Sequence, residues 1–279
     1  MTATTSPQPA IRTPRPAPRP FGAHLRHWRQ HRRLSQLDLA MDAAISTRHL
    51  SFVETGRSVP SREMVLRLSE RLDIPLRERN TLLVAAGYAP MYRERALDDP
   101  ALSPARQAVE LILKSHEPYP AIAIDRHWNL IAANSVVPHL LAGVTDAALL
   151  QPTMNVLRLS LHPQGLAPQI ANLAQWRAHL FERVRHQIAA SADPTLADLL
   201  EELQTYPTPA GSDLHLDGEH PGVVMPFRFS TPQGVLSFIS TITIFGSPVD
   251  VTLQELAMET FFPADDFTRQ VLQGLAAKR

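Results

Sequence analysis

The chain has 279 residues, more than a typical single domain, so two domains are expected. It carries no cysteine, which excludes a disulfide framework and any thiolate metal site, and no apolar run long enough to span a bilayer. A formal net charge of zero hides an asymmetry. Residues 1–95 hold 16 Arg against 8 acidic side chains, whereas residues 96–279 hold 19 acidic side chains against 9 Arg and 2 Lys. A basic front and an acidic back is the pattern of a nucleic-acid module joined to a part that should stay off the polyanion. The N-terminus lacks the apolar core of a secretory signal, so a soluble cytoplasmic protein with no membrane partner is expected.

Residues 1–20 are rich in Pro, Thr and Arg, poor in large apolar side chains, and cannot bury enough surface to fold alone. Their Arg12, Arg15 and Arg19 read either as a solvated tail or as a basic arm along the phosphate backbone or minor groove. From Phe21 the spacing predicts a helix to about Arg33, with Phe21, Leu25 and Trp28 on one stripe. His24, His27 and His31 lie on its other faces; no acid or cysteine within that helix completes a shell, so they read as exposed or phosphate-facing groups and no metal is expected. Two short helices follow between Leu34 and Arg57. Each has a serine, Ser35 and Ser46, where an N-cap hydroxyl satisfies first-turn amides. Leu39 and Ala40 of the first and Leu50 and Val53 of the second fall on inward faces, while Thr47, Arg48, Ser51 and Phe52 face outward. Gly56 falls where a left-handed cap wants no Cβ. A helix pair this short, presenting polar and basic groups from one end, suits a DNA major groove. Ser61 then caps a fourth helix carrying Met64, Val65, Leu68 and Leu72, and Pro75 opens a fifth through Leu82, Leu83 and Ala86, closed by Gly87.

The stretch from Leu34 to Arg57 resembles the helix-turn-helix of phage-repressor-like (XRE-type) regulators, from Ser35-Gln36 opening its first helix to Glu54-x-Gly56-Arg57 closing its second. One departure is Ala44 in the inter-helix turn, where glycine is usual. The resemblance implies an all-α, five-helix, lambda-repressor-like domain over residues 21–90, whose partner is double-stranded operator DNA. It puts Thr47, Arg48 and Phe52 where side chains meet base edges, Arg48 on a guanine and Phe52 on a thymine methyl unless Phe52 is core. Gln36 and Ser46 would reach phosphates from helix N-termini, Arg57 would add charge, and Ser51 shares the outward face. An ion pair between Arg29 and Glu54, locking the groove-reading helix to the first helix, is also implied. One such helix reads only a few base pairs, so a homodimer on a two-fold site is expected.

Residues 91–104, charged and Pro-containing, are the expected linker. Beyond them a helix over Pro104–Ser115 carries Val109, Ile112 and Leu113, and Ala121–Asp125 and Trp128–Ala132 read as the strands of a β-hairpin. Several short helices follow to about Leu161. A long helix is predicted over Pro168–Ala190, with Ile170, Leu173, Ala174, Phe181, Val184 and Ile188 on one face and Arg177 in its middle. Tyr206–Gly222 reads as loop. Three strands close the chain: Val223–Ser230, with Val223, Met225, Phe227 and Phe229 on one face; Val235–Phe245, with Leu236, Phe238, Ile242 and Ile244 on one face; and Thr252–Thr260, where Leu256 and Met258 oppose Glu255 and Glu259. Thr231–Gly234 is a turn between the first two, and a final helix covers about Ala264–Ala277.

A hairpin, then helices, then a three-stranded meander predict an α+β domain over residues 105–279, an antiparallel five-stranded sheet with helices on one face in PAS-like order. Segments Ala121–Asn134 and Leu157–Asn172 also resemble the C-terminal domain of MmyB-like regulators, which couple an XRE-type reader to a PAS-like domain. That resemblance implies an apolar cavity holding a fatty acid or related acyl compound as effector, with no cofactor. Trp128, Met225, Phe227 and Phe238 are candidate cavity walls and equally candidate core. Arg177 reads three ways: paired with an internal acid, snorkelling to the rim, or anchoring a ligand carboxylate. Trp176 and Arg183 on the same helix are candidates for the rim. The expected function is a sequence-specific DNA-binding transcriptional regulator that senses a small apolar ligand; the alternative is a regulator whose PAS-like domain only dimerises or binds a protein partner. His162, His179, His186, Asp193 and Asp198 fall into no nucleophile-elbow, phosphate-loop, HExxH or paired-carboxylate pattern, so no catalysis is expected.

Overall fold

The computed structural model describes residues 20–151, 153–207, 225–245 and 250–276. Arg12, Arg15, Arg19, Val223 and nearly all of the expected 206–222 loop lie outside the described residues. The chain divides into two compact units, residues 1–74 with 78–91, and residues 75–77 with 92–279.

The first unit holds five helices: α1 (Phe21–His31), α2 (Gln36–Asp42), α3 (Thr47–Glu54), α4 (Arg62–Arg71) and α5 (Leu76–Ala85). Their starts are chemical. Ser35 and Asp38 form a reciprocal capping box, Asp38 N donating to Ser35 Oγ at 3.1 Å and Ser35 N to Asp38 Oδ2 at 3.0 Å. Ser46 Oγ accepts from His49 N at 3.1 Å and Ser61 Oγ from Met64 N at 3.2 Å. The α2–α3 turn needs a left-handed residue and Ala44 supplies it at φ +52, accepting the strain of its Cβ; Gly56 at φ +74 and Gly87 at φ +87 fill such positions without that strain. Phe21, Leu25, Trp28, Leu39, Leu50, Val53, Val65 and Leu68 form the core, all buried. Gly22 lets α1 meet the end of α3, since a Cβ there would lie 2.3 Å from the Glu54 carbonyl oxygen.

The second unit is an antiparallel sheet of β1 (Ala121–Ile124), β2 (Leu130–Ala133), β3 (Phe227–Thr231), β4 (Gly234–Ile244) and β5 (Ala257–Pro263), in the order β2-β1-β5-β4-β3. Helices α6 (Ser103–Ser115), α7 (Val137–Leu140), α8 (Val156–Leu161), α9 (Leu173–Ser191), α10 (Pro194–Gln204), α11 (Val251–Gln254) and α12 (Asp266–Ala276) surround it. Both faces of the sheet are covered, not one. Val109 and Leu113 of α6 pack with Ala121, Ala123 and Met258, while Trp176, Leu180 and Val184 of α9 join Leu157, Leu196, Leu203, Phe229 and Phe238 in the larger core. Every residue of β1 is therefore buried. Residues from Tyr92 onward group with this unit: Val251 N donates to Arg93 O at 2.8 Å and Arg95 Nη1 to the buried Asp250 Oδ2 at 3.0 Å.

Several expected elements shift. The long helix begins at Leu173, after a short 3-10 turn over Ala167–Gln169, because Ile170 leaves helical geometry to bridge Phe229. Trp128 leaves the hairpin strand for a turn at φ +67 and is buried there. The third late strand starts at Ala257, its expected first residues forming α11, which the Asp250 side chain caps through Thr252 N. Ile112, Ile242 and Ile244 are exposed although their stripes continue buried ones.

Candidate DNA interface and ligand cavity

The outward face of α3 is held from behind by one carboxylate. Glu54, whose side chain is 0% exposed, accepts from Arg29 Nε at 2.6 Å and Arg29 Nη2 at 3.0 Å, from Gln36 Nε2 at 2.8 Å and from Arg26 Nε at 3.4 Å. Burial opposes ionisation of Glu54, yet the hydrogen bonds from Arg29, Gln36 and Arg26 outweigh it and hold its pKa below the usual carboxylate value. Arg29 Nη1 also donates to Leu34 O at 2.9 Å, so one guanidinium joins α1, the approach to α2 and the end of α3. The implied Arg29–Glu54 pair is present. Gln36 turns its amide to this cluster, a role no sequence pattern announces.

On the opposite face Arg48 and Arg57 are exposed, and Thr47, Ser51 and Phe52 are half-buried. The Arg48 guanidinium lies 5.3 Å and that of Arg57 6.0 Å from the Phe52 ring centroid. Phe52 is thus neither fully core nor fully presented, but a ring flanked by two cations. Ser46 is exposed at the α3 N-terminus, its hydroxyl capping His49 N. The arrangement offers a bidentate donor, hydroxyls and cations on one short helix, which is the chemistry that reads base edges and phosphates.

The C-terminal unit holds a partly open cavity of about 110 Å³, where a single water needs only about 10–15 Å³ on the same measure. Its wall takes Ile122 from β1, Phe227, Phe238 and Phe261 from the late strands, Leu140 from α7, Leu157 from α8 and Trp176 and Leu180 from α9. Trp128 reaches it from its left-handed turn, fixed by Nε1 donating to Gln187 Oε1 at 2.8 Å. Four of the seven expected ligand residues, Trp128, Trp176, Phe227 and Phe238, therefore line the cavity. The polar side chains on the wall are Ser160 and Glu259, both unanticipated. Glu259 was read only as opposing Leu256 and Met258 on its strand, yet β5 is covered on both faces there and Glu259 is buried; the neighbouring Ala257, Met258 and Phe261 were the available signal.

The other three do not line it. Met225 packs at the edge of the larger core. Arg177 points to the end of α10, its Nη1 donating to Tyr206 O at 2.7 Å and Nη2 to Gln204 O at 3.0 Å, with the guanidinium 5.0 Å from the Phe181 ring centroid. Among the described residues it satisfies carbonyls that a helix C-terminus leaves without partners. Arg183 lies behind the wall, its Nη1 on Glu259 Oε1 at 3.0 Å. The histidines and acids weighed for catalysis do not converge. His162 packs on Tyr206, His179 on Trp176, and His186 meets Glu182 at 3.1 Å; Asp193 caps α10 and bonds His127 at 2.9 Å. Among the described residues no group of three or more His, Asp or Glu is placed to hold a metal, and no helix is long and apolar enough to cross a membrane.

Residues 20–82 match a helix-turn-helix domain family, and residues 105–275 match the family described as MmyB-like transcription regulator ligand binding domain. Comparison with curated proteins finds no match. Among solved structures, an RNA-binding Light-Oxygen-Voltage receptor is similar at 14% identity and a TM-score of 0.26, over 91% of this chain and 63% of that one. The chain thus spans under two thirds of that receptor's length, and a likeness this loose carries no argument.

Proposed function

Because the chain belongs to the family of MmyB-like transcription regulators, we propose that it reads a specific operator through α3 as a cytoplasmic homodimer and senses a fatty acid or related acyl compound in the cavity of its C-terminal unit. A helix-turn-helix domain joined to a ligand-binding domain makes it a transcription regulator with a ligand to sense. The observation that carries the ligand half is the cavity itself, walled almost wholly by apolar side chains of the larger core. Supporting the DNA half, the Arg29–Glu54 pair fixes the orientation of a helix whose outward face is polar and cationic. Ligand occupancy changes DNA affinity only to the extent that the ligand binds the DNA-competent and incompetent arrangements differently.

Two measurements test these halves separately. On an operator obtained by selection from random sequence, Arg48→Ala should cost about 1–3 kcal/mol and relax the choice at one base; equal loss on operator and random DNA would reduce Arg48 to a phosphate contact. Native mass spectrometry of freshly purified protein, with solvent extraction, should give a dimer carrying a discrete acyl mass. A bare mass that no added acyl compound shifts would leave the domain as a dimeriser.

A further inference from the structure

The cavity wall is apolar except at two side chains. Ser160 accepts a hydrogen bond from Trp176 Nε1 at 3.1 Å. Glu259 sits in the middle of β5, 3% exposed, opposite Ile122 of β1 on one side and Ile242 of β4 on the other. A carboxylate there is costly unless it is held, and Arg183 holds it, Nη1 donating to Oε1 at 3.0 Å and Nη2 to Oε2 at 3.4 Å. Arg183 is not on the wall. Its guanidinium lies 4.6 Å from the centroid of the Trp128 ring, and it is that ring which lines the cavity. The cation is thus engaged from behind by a carboxylate and an indole, while the carboxylate belongs to the wall. An ionised carboxylate has about four acceptor positions and no donor, and Arg183 fills two of them. His179, its ring 5.5 Å from that of Trp176, adds no second cation: burial and the Arg183 charge favour its neutral form over the opposing pull of Glu259.

Resting on the acyl-ligand reading of this cavity and narrowing it from fatty acids to their neutral relatives, we infer that the ligand it selects ends in a neutral hydrogen-bond donor, an alcohol or primary amide that donates to Glu259, and that a free carboxylate is discriminated against. A ligand carboxylate would sit beside a like charge whose counter-ion is already engaged. A hydroxyl or amide N–H instead meets a charged acceptor in apolar surroundings, where such a bond is strong.

Calorimetric titration of the full-length protein with 1-octanol, octanamide and octanoate at neutral pH tests this with chain length held constant. The alcohol and the amide should bind at least about tenfold more tightly than the acid. Glu259→Gln should remove most of that difference, because the like charge facing a ligand carboxylate is gone. If that variant does not fold, the ratio in the unaltered protein decides alone. Octanoate binding as tightly as octanol, or more so, would overturn the inference while keeping the acyl cavity. No heat and no thermal shift with any of the three would overturn the acyl reading itself.

Discussion

Glu54 and Arg177 are both charges set against apolar helix faces, and their partners differ in kind. Glu54 is ionised in the fold because three donors outweigh its burial. Its folded pKa is lowered, so the unfolded chain binds more protons in acid; the stabilisation is fully present above the unfolded carboxylate value of about 4.3 and fades as pH falls through the lower folded value. Glu54→Gln should therefore lower stability at neutral pH by about 2–3 kcal/mol and flatten the acid limb of the stability curve, measured by denaturation at a series of pH values. An unchanged acid limb would mean that other carboxylates carry it. Arg177→Met should cost about 1–2 kcal/mol through the lost carbonyl contacts and leave the alcohol-to-acid binding ratio unaltered; a change in that ratio would return Arg177 to the cavity. The Glu54 pair was readable because the helix-turn-helix motif fixes the spacing of its partners. The Arg177 contacts were not, since backbone carbonyls from the end of α10 leave no mark on a side-chain pattern.

Helical stripes and capping serines located the elements of the first unit closely, because α2, α3 and α4 each begin with a serine cap. The close approach of α1 to α3 was less visible, yet it depends on one hydrogen atom. Gly22→Ala would drive a Cβ into the Glu54 carbonyl, a backbone atom that cannot swing aside, and should cost about 1–3 kcal/mol together with operator affinity. Gly274→Ala in α12, where nothing among the described residues lies within 4 Å, should instead be neutral or stabilise by about 0.5–1 kcal/mol. Thermal denaturation of the two variants separates a steric loss from a generic one. In the second unit, alternation identified the strands but misjudged which faces were covered. Helices pack on both sides of the central strands, so Glu259 is buried, whereas β4 carries Ile242 and Ile244 into exposure. Sheet coverage is set by elements distant in sequence, which a period of two cannot report.

For the chain as a whole, the division of labour was written in its charge: the basic third contains the helix-turn-helix and the acidic remainder the ligand-binding fold. The strand order β2-β1-β5-β4-β3 follows from a hairpin and a meander sharing one sheet, which made the fold class legible before any side chain was placed. Which residues face the cavity was half legible, since aromatic stripes mark cavity wall and packed core alike. The proposed dimer predicts protection of two half-sites about 34–36 Å apart or a multiple of that spacing, read by footprinting on the selected operator; protection of a single half-site would contradict it. The two functions are joined only if ligand and DNA are linked in free energy. Fluorescence-anisotropy titration of labelled operator, with and without octanol at a concentration that calorimetry shows to be saturating, measures that linkage. A shift in operator Kd of at least about fivefold, in either direction, is predicted; superimposable curves with the ligand bound throughout would contradict a ligand-sensing regulator.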